Sequence, residues 1–354
     1  MRRKIFATII LLMFLSACSM KNEPKELGFE RDISMEAQIL QSDDNLVFIG
    51  ETKDKDGTLH SVIGVVDETK KLPNYLLSLN DVIRIKSSPF LFYDEGIKPY
   101  NYPIYLPVIM NGQLFWPADG DRKDKFRPAP GGVSVGHIDI TAGTLGGRVC
   151  STIYGCSCFV TNCHVSGCFD DAKIGDDIIQ PGRHDGGKAT DSIGKLVVMG
   201  KPVSNQNNLV DAALICGTAQ TIYPEIYQIG AVNNIETNLY TEMPSWKSGR
   251  NGITHFALLA TSVTVKVCYG VNKCYTFTDQ ILFGNNGISS LPGDSGSFIL
   301  TETDPPKLIA LLFAGNSDGQ TMGNKIENVF RELNVYLPDM RRGIAPYPGP
   351  IIDP

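Results

Sequence analysis

From Val133 onward the chain is a succession of short apolar runs broken at close intervals by Gly, Asn and Asp. No other feature restricts its fold as much. Ile138-Asp-Ile-Thr, Cys158-Phe-Val-Thr, Lys195-Leu-Val-Val-Met, Ala212-Ala-Leu-Ile, Val263-Thr-Val-Lys-Val, Ser297-Phe-Ile-Leu and Leu308-Ile-Ala-Leu-Leu-Phe are each of strand length. Many short strands separated by turn residues argue for antiparallel sandwiches or barrels. The 35 glycines and 21 prolines among 354 residues point the same way, towards turns and away from a helical bundle. One stretch differs: between 325 and 333, Ile326, Val329, Phe330 and Leu333 fall at helical spacing. The expected architecture is mainly β, with a small helical tail.

The amino terminus has another character. Arg2, Arg3 and Lys4 precede an apolar stretch from Ile5 to Leu15, too short to cross about 30 Å of hydrocarbon comfortably, and it reads as a signal h-region. Leu15-Ser-Ala-Cys18 resembles the bacterial lipobox. The resemblance implies that residues 1–17 are removed and that Cys18 carries the lipid that holds the protein on a membrane of the cell envelope. Ser19-Met20 lack the aspartate associated with inner-membrane retention, which favours the outer membrane. A net charge of −6 excludes an extended basic groove for nucleic acid.

Nine cysteines fit an exported chain. Eight remain after Cys18, and an even number reads first as disulfides; zinc knuckles built on C-x2-C pairs are absent, so no metal site is expected. Cys268 and Cys274 flank a Gly-Val-Asn turn between alternating runs, as a bridge across a hairpin would. Cys150, Cys156, Cys158, Cys163, Cys168 and Cys216 leave fifteen possible pairings open.

Residues 18–45 are polar and charged without apolar period, and read as a tether. Leu46-Val-Phe-Ile, Ser61-Val-Ile-Gly-Val-Val and Val82-Ile-Arg-Ile then form a small β-rich α+β module over 46–125. The charge-dense stretch 119–125 and Arg127-Pro-Ala-Pro-Gly-Gly mark the boundary that follows.

In Gly293-Asp-Ser295-Gly-Ser, a serine stands between glycines at the entrance to an apolar strand. Such a loop exposes a hydroxyl and lets backbone N–H groups converge on one point. A serine nucleophile needs a base. Of five histidines, His164 lies at the end of the apolar run Phe159-Val-Thr. His60 and His137 lie beside loop signals, His184 reads as solvent-exposed, and His255 as packed. The base in turn needs a carboxylate shielded from water. Asp170, Asp171, Asp176, Asp177, Asp185 and Asp191 read as polar turns, whereas Asp211 enters Ala212-Ala-Leu-Ile.

Thr161-Asn-Cys-His-Val, Val210-Asp-Ala-Ala-Leu-Ile and Gly293-Asp-Ser-Gly-Ser resemble the three active-site blocks of the chymotrypsin/trypsin-like serine proteases, in that family's order. Over about 130–335, Arg127-Pro-Ala-Pro-Gly-Gly, Ile140-Thr-Ala-Gly-Thr, Ile179-Gln-Pro-Gly and Leu311-Leu-Phe-Ala-Gly are similar to bacterial trypsin-like proteins related to the plant NARROW LEAF 1 protein. The resemblance implies two antiparallel six-stranded β-barrels, 126–220 and 221–340, the second with a C-terminal helix and a tail over 341–354. It implies an endopeptidase that acts on polypeptides without a cofactor, and the lipobox adds the membrane anchor. Ser295 is its nucleophile, His164 its base and Asp211 its orienting carboxylate, with Gly293 and Ser295 N–H groups as the oxyanion hole. Ser289, Phe313 and Gly315 would border the specificity pocket. Ser289 carries no charge, so cleavage after Lys or Arg does not follow, and there is no Ile-Val-Gly-Gly-like activation site. The alternative is a non-catalytic lipoprotein that uses the same fold to bind a peptide or envelope partner. Cys18→Ser is expected to abolish lipid labelling and move the protein out of the membrane fraction; retained labelling would refute the anchor.

Overall fold

The computed structural model describes residues 31–79, 81–91, 104–105, 108–110, 113–115, 121–140, 142–270, 273–284 and 287–338. The leader, Cys18 and the tail from 341 lie outside the described residues. Among the described residues, no helix is long and apolar enough to cross a membrane.

Part of the stretch read as a tether is ordered as helix α1, Ile33–Ser42. Asp32 caps it by accepting the Met35 N–H at 3.0 Å, and Ala37 and Leu40 supply a short buried face. Strands β1 (Leu46–Lys53), β2 (Leu59–Val65) and β3 (Ile83–Lys86) follow. β1 and β2 pair antiparallel, and β3 adds to β2 in parallel.

The next strands are β4 (Ser134–His137), β5 (Gly143–Thr144), β6 (Arg148–Ser151), β7 (Gly155–Thr161), β8 (Asp177–Ile179), β9 (Ser192–Gly200) and β10 (Ala212–Gly217). Antiparallel pairings run from β5 through β4, β8, β9, β10 and β7 to β6. β5 and β6 belong to one extended run, in which Gly146 N–H donates to the Val160 carbonyl at 2.9 Å. That run therefore pairs with β4 at one end and β7 at the other. The sheet closes into a six-stranded barrel.

A second set comprises β11 (Pro244–Gly249), β12 (Gly252–Cys268), β13 (Cys274–Gly284), β14 (Phe298–Thr301), β15 (Leu308–Gly315) and β16 (Thr321–Lys325). Each pairs antiparallel with the next in the ring β11, β12, β13, β16, β15, β14 and back to β11. β12 is 17 residues long, and its far half also pairs with β1. The N-terminal strands thus extend the sheet of the second barrel instead of closing one of their own. Helix α2, Ile326–Leu333, buries Ile326, Val329, Phe330 and Leu333, the face its periodicity predicts.

Alternation along the strands explains how the barrels meet. In β7, Phe159 points into the first barrel, while Cys158 and Val160 point outward; in β10, Ala213 and Ile215 point inward, and Ala212 and Leu214 outward. The outward set packs on Phe298, Leu300 and Leu311 of the second barrel and on α2. Both faces are buried, so Ala212-Ala-Leu-Ile carries no polar alternation.

The cysteines pair as Cys150–Cys156, Cys158–Cys216, Cys163–Cys168 and Cys268–Cys274. Cys158 and Cys216 stand opposite each other on β7 and β10 and close a loop of 58 residues. By loop-closure entropy that bridge is worth about 4 kcal/mol, against about 2 kcal/mol for a six-residue loop. Cys158→Ala/Cys216→Ala is therefore expected to lose about twice the unfolding free energy of Cys150→Ala/Cys156→Ala in urea titrations. Equal losses would contradict this ranking.

Candidate active site

Strand register brings His164 and Asp211 together. β7 and β10 are paired with Val160 opposite Leu214 and Thr161 opposite Ala213. Continuing that antiparallel ladder past Thr161 runs the chain alongside Ala212 and Asp211. Asn162 Nδ2 donates to the Asp211 carbonyl at 2.7 Å, and the His164 N–H donates to Asp211 Oδ1 at 3.0 Å. His164 Nδ1 then lies 2.5 Å from Asp211 Oδ2. Asp211 is fully buried, as is nearly all of His164. A buried carboxylate is tolerable only where donors replace water, and these contacts supply them.

Ser295 enters from the second barrel on the loop before β14. Thr144 of β5 joins it to the first barrel: its N–H donates to the Ser295 carbonyl at 2.7 Å, and its hydroxyl donates to the Gly293 carbonyl at 2.8 Å. Thr161, three residues before His164, donates to the Thr144 carbonyl at 2.7 Å. Gly296 has φ +96°, and a Cβ there would lie 2.1 Å from the Thr144 oxygen, so only glycine permits this approach. The carbonyls of Gly293 and Ser295 are thus occupied. Their N–H groups find no acceptor among the described residues.

Beneath this loop lies a cation that the sequence did not reveal. Lys247 Nζ, fully buried on β11, lies 2.7 Å from Asp294 Oδ2. Asp294 also accepts the N–H groups of Leu291 at 2.9 Å and Asn251 at 3.0 Å. The residue before Ser295 is therefore fixed by an internal ammonium. Burial lowers the lysine pKa, and the Asp294 charge opposes that shift. A lysine in a strand carries no sequence signal of its partner 47 residues away.

Ser295 opens onto a cavity of about 320 Å³. Its walls include Leu312, Phe313 and Gly315 of β15, and none of its lining residues is charged. Ile288 and Leu291, 63% and 49% exposed, form an apolar rim. Phe313 is fully buried, with its ring packed against Phe277. Ser289 does not line the cavity, although Ile288 and Ser290 do. Its hydroxyl is buried without a hydrogen-bond partner among the described residues.

Other expectations change. His184 is buried, and His255 is exposed and paired with Glu302 at 2.6 Å. Asp185 sits in a turn yet is buried, held by the Arg250 guanidinium at 2.6 and 2.7 Å. Cys163 Sγ, Cys168 Sγ and an Asp211 oxygen lie within 4.8 Å of one another. Both sulfurs are spent in a disulfide, so the trio does not suit a cation.

No family model and no curated protein matches the chain. Among solved structures it is similar to Thermobifida fusca protease A, with a TM-score of 0.42 and 18% identity over 59% of this chain and 97% of that one. Cellulomonas bogoriensis chymotrypsin gives a TM-score of 0.41 and 18% identity over 59% and 97%. A glutamic acid-specific serine protease described as using a histidine triad in substrate binding gives 0.39 and 15% over 58% and 98%.

Removing one partner of a buried ion pair strands the other charge, at a cost of about 3–5 kcal/mol. Lys247→Met is expected to lose that much in chemical denaturation, with Lys247→Met/Asp294→Asn recovering a substantial part. A double variant no more stable than the single one would show that pairing is not what Lys247 contributes.

Proposed function

We propose that this chain is a serine endopeptidase, anchored to a bacterial envelope membrane by lipid on Cys18. The observation that carries the hydrolase reading is the buried contact of 2.5 Å between His164 Nδ1 and Asp211 Oδ2, beside the loop that presents Ser295 to an open cavity. The anchor rests on the leader sequence alone.

In this reading His164 removes the proton of Ser295 Oγ as the oxygen attacks a peptide carbonyl. The Gly293 and Ser295 N–H groups stabilise the resulting oxyanion. Collapse of the tetrahedral intermediate breaks the C–N bond, and the leaving amine takes the proton from the His164 imidazolium. A water molecule then repeats the sequence on the acyl-enzyme and releases the acid. Asp211 holds one imidazole tautomer and stabilises the imidazolium. The uncharged lining of the cavity supports a preference for an uncharged side chain next to the scissile bond, with Ile288 and Leu291 favouring apolar contact.

The test is a fluorophosphonate probe read by intact mass, alongside hydrolysis of a peptide library. Wild type is expected to gain one adduct and Ser295→Ala none. His164→Ala is expected to lose nearly all turnover, and Asp211→Asn about 10⁴-fold, through the wrong tautomer. Equal labelling of wild type and Ser295→Ala, or of neither, would favour a binding lipoprotein over an enzyme.

A further inference from the structure

Asp211 has a third donor, and it comes from the other barrel. The hydroxyl of Tyr269 donates to Asp211 Oδ2 at 2.7 Å, so that oxygen serves His164 Nδ1 and the phenol together. Tyr269 directly follows β12, at a turn closed on both sides. Its N–H donates to the Lys273 carbonyl at 2.9 Å, and its neighbour Cys268 is bonded to Cys274. Its ring packs against His164, Phe169 and Tyr275, with centroids at 5.5, 4.6 and 5.9 Å. Burial, and next the Asp211 charge, push the phenol well above its ordinary pKa, so it remains a donor across the working pH range.

We propose that Tyr269 is a positioning residue for the hydrolysis proposed above, on which its kinetic role rests: its hydroxyl fixes Asp211 Oδ2, and thereby the tautomer and orientation of His164. Two donors sharing one oxygen leave the carboxylate no freedom to rotate away from the imidazole. Because the phenol belongs to the second barrel and the dyad to the first, the dyad is complete only when the barrels are docked. The disulfide-tied turn keeps the hydroxyl within reach. The titratable groups gathered around the pair are Tyr269 and, behind it, Tyr275; the Cys163 and Cys168 thiols are joined to each other.

Tyr269→Phe keeps the ring and its packing and removes only the donor. Peptide hydrolysis by this variant is expected to fall about tenfold in kcat with KM nearly unchanged, the usual worth of a hydrogen bond to a charged group. A second readout does not need turnover. In protein labelled with ¹⁵N-histidine, the Nδ1–H resonance of His164, assigned by its loss in His164→Ala, is expected to move downfield in Tyr269→Phe. A carboxylate that has lost one donor accepts more strongly from the other. Wild-type kcat together with an unmoved resonance in Tyr269→Phe, with losses confined to Tyr269→Leu, would reduce Tyr269 to a packing residue and overturn the proposal. If wild type neither turns over nor labels with fluorophosphonate, the hydrolase reading fails. The resonance then decides the clamp by itself: a shift supports it, and no shift overturns it.

Discussion

Burying a carboxylate without compensation costs several kcal/mol, and the arrangement around Asp211 is organised by that constraint. Its side chain is fully enclosed and accepts from the His164 backbone, the His164 ring and the Tyr269 hydroxyl. Its backbone is held as well, the N–H donating to Asn324 Oδ1 at 3.0 Å. His164 belongs to the first barrel, whereas Tyr269 and Asn324 belong to the second. A single buried charge thus makes the two barrels mutually dependent: neither offers a complete set of donors by itself.

The same logic runs along the seam between the barrels. Thr144 links the Ser295 loop to the His164 strand, and its hydroxyl accepts the Arg250 N–H at 2.9 Å. Arg250, at the tip between β11 and β12, grips Asp185 from the first barrel, and Ser134 adds a hydroxyl to that carboxylate at 2.5 Å. Lys247 and Asp294 form a second buried ion pair under the loop. Buried pairs of this kind contribute little net stability compared with well-packed apolar residues, but misplacing either partner is costly. Their consequence here is a defined position for the backbone at Gly293 and Ser295. The apolar seam of Cys158, Val160, Leu214, Phe298 and Leu311 supplies the burial that pulls the barrels together.

Much of this was written locally. Strand-length apolar runs, turn residues at close intervals and the helical spacing of Ile326, Val329, Phe330 and Leu333 identify a mainly β chain with a short final helix, because periodicity is a property of neighbours in sequence. The Cys268–Cys274 bridge was legible for the same reason, since both cysteines belong to one hairpin. His164, Asp211 and Ser295 stood out because each sits where an apolar strand begins or ends.

Tertiary structure alone decided the rest. Which of fifteen pairings the other six cysteines adopt depends on strand register, which places Cys158 opposite Cys216 across 58 residues of chain. Helix α1 escaped notice because its buried face is short and includes Glu36, beside Thr264 of β12. Asp185 and His184 looked like exposed turn residues, yet Asp185 meets Arg250 across the seam and His184 is buried beside it. Lys247 and Tyr269 have the composition of ordinary strand and hairpin residues, and nothing near them in sequence names Asp294 or Asp211. A sequence specifies which residues need burial or a partner; which partner each receives is fixed only when strands far apart in the chain come into register.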